Sequence, residues 1–156
     1  MRPSHAVLIL SAALSFASAS TLQGQDAQSR LWDAAIAGDT AAIRRAMNDG
    51  AKIDSLDTRT NRNGRFALNW AAWHNKADAV KLLLELKAPL EAENRTGFTA
   101  LHHAAENGSV DVARLLLAAG ADPEHTNKAG VTPLATATEQ GHQAVVQLLE
   151  AARKKK

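Results

Sequence analysis

The run Gly97-Phe-Thr-Ala-Leu-His-His-Ala-Ala-Glu-Asn-Gly108 is followed, after Ser109, by Val110-Asp-Val-Ala-Arg-Leu-Leu-Leu-Ala-Ala-Gly120-Ala-Asp122. Each half holds one short helix-forming segment and ends on glycine, which accepts the left-handed conformation that closes a helix. A shift of 33 residues in either direction brings the skeleton back, with Gly64, Gly97 and Gly130 opening equivalent blocks. Leu68, Leu101 and Leu134 correspond, as do Ala71, Ala104 and Ala137, and Leu82, Leu115 and Leu148. A fixed period of this length signals stacked supersecondary units, none of which buries its apolar face alone.

The segment Thr99-Ala-Leu-His102, the Ala104-Ala105 pair, Gly108, the Leu115-Leu116-Leu117 run and Gly120-Ala121-Asp122 together resemble the ankyrin repeat. Thr132-Pro-Leu134 and Gly141-His142 carry the likeness into the last unit. The resemblance covers roughly residues 29 to 153 and implies an all-α repeat solenoid of about four helix-turn-helix units with β-turn or hairpin fingers. Unit boundaries fall near 29–61, 62–94, 95–127 and 128–153. Thr99 and His102 occur together in one unit only, since the second has Phe66 and Asn69 and the fourth Thr132 and Ala135.

The local chemistry agrees. Small residues on each first helix (Ala34-Ala35, Ala71-Ala72, Ala104-Ala105) allow close helix approach, and Val80, Leu83 and Leu84 give the second helix an aliphatic face. Asn75 stands where Gly108 and Gly141 end first helices, whereas Lys87 replaces the glycine of Gly50 and Gly120 and predicts a strained end. The first unit, from Leu31 to Ala51, aligns with the second at a shift of 37. Terminal repeats need a polar outer face. Arg45 meets this need in the place of Leu82, and Glu150 in the place of Leu84.

The chain has 156 residues, no cysteine and a formal charge of +2. Thiolate zinc sites, disulfides and thiol catalysis are therefore excluded. Arg2, the uncharged apolar stretch Ala6 to Ala17 and the small-x-small site Ala17-Ser-Ala19 read as a cleaved secretory signal over 1–19. The stretch falls short of a membrane span of about 20 residues. A polar linker over 20–28, the repeat domain over 29–153 and a basic tail over 154–156 complete the expected organisation. Cleavage leaves a charge of +1, which favours neither nucleic acid nor a stable membrane anchor. A signal peptide before four repeats is similar to an exported bacterial ankyrin-repeat protein, periplasmic or secreted, and a monomer is expected.

Six histidines invite a catalytic or metal-binding reading. The resemblance gives His102 a turn role with Thr99 and His142 a structural role beside Gly141. His103 diverges from His102 by about 100° on a helix. No metalloprotease motif, phosphate loop or nucleophile elbow occurs, so no catalytic residue, metal or cofactor is expected.

A binding face is better supported, because the resemblance places partners at the turn tips and exposed first-helix positions. Those positions hold Arg62, Asn63, Arg65, Trp73 and His74 in the second unit, Arg95, Thr96, Phe98, Glu106 and Asn107 in the third, and Lys128, Val131, Glu139 and Gln140 in the fourth. Trp73 stands where the third and fourth units have Glu106 and Glu139, and tryptophan beside arginine is the composition of an interface anchor. The loop before it is longer: Ala51 to Gly64 spans 13 positions, against 9 for Ala88 to Gly97. The excess lies within Asp57–Asn63, a polar basic finger whose rim residue is Arg59. Trp70 is expected to pack between repeats and Trp32 to cover the first turn.

The expected function is a non-enzymatic protein–protein interaction module that binds or assists another exported protein through its concave face. Two alternatives stay open: an enzyme or metal-binding protein using His102, His103 and His74, and an inhibitor or immunity-type binder of a toxin or enzyme.

Overall fold

The computed structural model describes residues 27–59 and 63–154. Helices in these residues form four antiparallel pairs. The first pair is α1 (27–37) and α2 (Thr40–Asn48), the second α3 (Ala67–Trp73) and α4 (Ala77–Glu85). The third is α5 (Ala100–Glu106) and α6 (Val110–Ala118), the fourth α7 (Pro133–Glu139) and α8 (Gln143–Arg153). Helices α3, α5 and α7 pack in one row, and α2, α4, α6 and α8 in a second. The expected solenoid of about four units is the observed one. Its first helix includes Gln28 and the fully buried Ala27, the last two residues of the expected polar linker over 20–28, whose other residues lie outside the described ones. The proposed signal segment 1–19 and tail residues 155–156 lie outside the described residues.

Burial follows the repeat register. Leu83, Leu116 and Leu149, each 33 residues apart, are fully enclosed, and Ala71, Ala104 and Ala137 are fully buried between first helices. Alanine at the latter positions removes the bulk that would hold α3, α5 and α7 apart. Leu115 and Leu148 are only partly buried, so the deepest layer lies one residue beyond the Leu82, Leu115 and Leu148 register. At the ends of the array Arg45 and Glu150 are exposed.

Helix termination is equally periodic. The amides of Lys76, Ser109 and His142 reach back to the Ala71, Ala104 and Ala137 carbonyls at 2.8, 2.9 and 2.9 Å. Those of Ala51, Ala88 and Ala121 do the same to Ala46, Leu83 and Leu116 at 3.0, 2.9 and 3.0 Å. This closure requires a left-handed residue just before the reaching amide. Lys87 adopts it with φ 67° where Gly120 has φ 99°, at a cost of about 1 kcal/mol.

Fingers project from the junctions. The Asn94 amide donates to the Phe98 carbonyl at 2.9 Å, as does Asn127 to Val131, and both asparagine Oδ1 atoms accept amides from inside their own turn. In the second unit Asp57 takes this place, pairing antiparallel with Arg65. Eight positions separate Asp57 from Arg65 and four separate Asn94 from Phe98, so the four extra residues lie inside this finger. Adjacent fingers are joined edge to edge by Arg95 N–H to Asn63 C=O at 2.7 Å and Lys128 N–H to Thr96 C=O at 3.1 Å. Gly97 makes the stacking possible: a Cβ there would meet the Lys128 backbone nitrogen at 2.6 Å.

Candidate protein-binding groove

One position on the first helices ties each unit to the next. Trp32 Nε1–H donates to the Ser55 carbonyl at 3.2 Å, and Asn69 Nδ2–H donates to those of Ala92 and Phe98 at 3.3 and 3.2 Å. His102 Nε2 lies 3.0 Å from the Val131 carbonyl. A carbonyl only accepts, so Nε2 carries the proton and Nδ1 accepts from the Thr99 amide at 3.3 Å. Burial pushes the His102 ring down to about 4, keeping it neutral near pH 7. These side chains join repeats, with only Asn69 Oδ1 among their polar atoms buried without a partner among the described residues.

The next position faces the finger side. Trp70 is buried and donates Nε1–H to the Asp57 carboxylate at 3.1 Å. The guanidinium of Arg65 lies over two indoles, 4.6 Å from the Trp70 ring centre and 4.5 Å from that of Trp73. Arg65 is 9 % exposed, and its Nε has no acceptor among the described residues. Desolvation lowers its pKa, against the attraction of Glu106. His103, fully buried, meets the Trp73 edge at 5.2 Å and stacks on Phe98 at 5.6 Å. Burial also lowers the His103 pKa, and neither ring nitrogen has a hydrogen-bond partner among the described residues; Glu106 Oε2 is 3.5 Å from Nδ1.

These groups wall a groove of about 240 Å³, lined by Asn63, Arg65, Trp73, Asn94, Thr96, Phe98, His103 and Glu106. Larger depressions of about 510 and 430 Å³ lie at the carboxyl-terminal end and on the outer helices. They lack buried polar groups without partners, so the smaller groove carries more chemical information.

Six of the expected contact residues meet in this groove: Asn63, Arg65, Trp73, Thr96, Phe98 and Glu106. Three expectations change. Trp73 is only partly exposed, because Arg65 covers one ring face. Arg65 is an inward-facing residue of the groove wall and not an exposed finger contact, since it occupies the register of the half-buried Phe98 and Val131. Arg59 is folded onto the array: Nε and Nη2 reach Asp57, Nη2 reaches Asp33 at 2.9 Å, and the head lies 4.9 Å from the Trp32 ring centre. The Asp57 hydrogen bond raises its pKa most.

His74 is exposed and stacks on Trp70, with a pKa lowered by burial and then by Lys76 and Arg65. Arg95 is exposed on its finger, and Asn107 donates Nδ2–H to the His103 carbonyl at a helix end. Arg62 lies outside the described residues. The residues missed as contacts are Asn94 and His103. The buried register shared by Trp70, His103 and Thr136 held the signal for the last of these.

Residues 31–127 and 89–156 match the family model described as ankyrin repeats in three copies. The chain belongs to the ankyrin repeat family. Ankyrin repeats are generally protein-binding scaffolds without catalytic activity, so the class of partner is a protein. Among curated proteins none matches the chain. The alternative metal site on the ankyrin helices also fails on geometry. His102 commits both nitrogens to structure, His103 is enclosed by rings, and the described residues contain no group of three or more His, Asp or Glu placed to hold a metal.

Proposed function

We propose that this ankyrin domain is a non-enzymatic module that holds another exported protein in the groove between its fingers and first helices. The observation that carries the reading is Trp73, a large half-buried aromatic on the groove wall beside a buried cation whose Nε has no acceptor among the described residues. Such anchors dominate interface energies. Export is supported by Arg2, the apolar stretch from Ala6 to Ala17 and the Ala17-Ser-Ala19 site, and places the partner in the periplasm or outside the cell.

The test is affinity capture from the exported fraction with wild-type and Trp73→Ala baits, both checked for folding by circular dichroism. The proposal expects one partner whose affinity falls by about 2 kcal/mol or more in the variant. A folded Trp73→Ala protein with full affinity moves the binding face elsewhere. Intact mass of the bait from its native host should begin near Ser20, and a mass retaining Arg2 rejects the signal peptide.

A further inference from the structure

We infer that the groove receives the carboxylate of a glutamate or aspartate side chain on the partner protein, with Arg65 as its cationic receptor. This rests on the groove being the protein-binding face.

The Arg65 guanidinium lies over both the Trp70 and Trp73 rings and gains cation–π attraction from each. Its five N–H donors lie in the guanidinium plane, and Nε, sealed from water, has no acceptor among the described residues. A buried cation without hydrogen-bonded compensation is costly. The acceptor that fits a planar fork is a carboxylate, which takes two parallel bonds of about twice the ordinary strength.

The surroundings favour an acidic visitor from one direction. Arg95 and Lys128, both exposed, stand 33 residues apart on successive fingers and put positive charge along that edge. Glu106 also lines the groove, with Oε2 3.5 Å from His103 Nδ1. It repels a second carboxylate, so the entering group must approach from the finger edge, and neutralising Glu106 must strengthen binding. A carboxamide visitor would instead donate to Glu106 and be weakened by the same change. Glu106 therefore discriminates between the two chemistries.

The Arg65 Nε–Hε resonance of the ¹⁵N-labelled protein reports the site directly. It is titrated with N-acetylglutamate N-methylamide, its glutamine analogue and inorganic phosphate. The glutamate probe should shift this resonance saturably and bind at least about fivefold tighter than the other two, a difference of about 1 kcal/mol. Glu106→Gln should tighten it further, and Arg65→Lys should weaken it. Equal binding of the glutamine probe, equal binding of phosphate, or no saturable shift up to roughly 100 mM glutamate probe overturns the assignment. The wild-type titration decides the matter even if Arg65→Lys fails to fold. If the probes fail while Trp73→Ala still abolishes partner binding, the groove remains the binding face and only the carboxylate assignment falls.

Discussion

His102 Nε2 reaches the Val131 carbonyl at 3.0 Å, and Asn69, one unit earlier, reaches the equivalent Phe98 carbonyl at 3.2 Å. Two different side chains perform one structural task at the same register, and only one of them is ionisable.

That difference predicts a pH dependence. Burial holds His102 at about 4 in the folded protein, against about 6.5 in the unfolded chain. The unfolded state binds the extra proton between these values, so His102 leaves stability intact above about pH 6.5 and costs stability as pH falls toward 4. The loss is of order 3 kcal/mol, and the lowered pKa of His103 acts in the same direction. His102→Asn should retain the bond to Val131, lose about 1 kcal/mol at pH 7 with the Thr99 capping arrangement, and show a flatter stability profile from pH 6.5 to 4. Denaturant midpoints across that range check it. A slope equal to that of the wild type contradicts the assignment.

Arg59 is predicted to act on stability. The Asp57 side chain is fully enclosed and Arg59 supplies its ionic partner. Arg59→Ala should cost about 1–3 kcal/mol, the range for a buried acceptor left short of donors, toward the low end because a third of the Arg59 side chain is exposed. Asp57→Asn should soften the loss in the double variant, since Asn94 and Asn127 perform the same turn role uncharged. Urea unfolding of the four proteins in this cycle measures the coupling. An unchanged midpoint in Arg59→Ala would show that the finger is energetically detached from the array.

The repeat register predicts a third contrast. Leu116 is fully buried in an interior unit, whereas Lys154 is exposed at the end of α8. Leu116→Ala should cost about 2–5 kcal/mol, and Lys154→Ala should stay within about 0.5 kcal/mol. Similar losses in denaturant titration would reject the stacked register.

Most of the fold was legible because packing repeats wherever composition repeats. Ala71, Ala104 and Ala137 permit the same close approach three times, and Asn75, Gly108 and Gly141 close three helices in one conformation. The site was legible in part. Trp73 and Phe98 stood at recognisable positions, but the fate of the arginines depended on partners far away in sequence. Arg59 meets Asp33 across 26 residues. Arg65 turns inward because it stands in an apolar register beside tryptophans, a hint available from its alignment with Phe98 and Val131. The insertion obscured that hint, since the 33-residue shift from Asn94 lands on Asn61 while the turn is built on Asp57.

The central claim is that the partner occupies the groove beside Trp73. A photo-crosslinking benzoylphenylalanine placed at Phe98, inside the groove, is compared with one at Arg114, exposed on the outer helix α6. Irradiation in the exported fraction should give one discrete protein adduct from position 98 and none from position 114, and Trp73→Ala should abolish the adduct. An adduct from position 114 alone, or one from position 98 that persists unchanged in Trp73→Ala, contradicts the account.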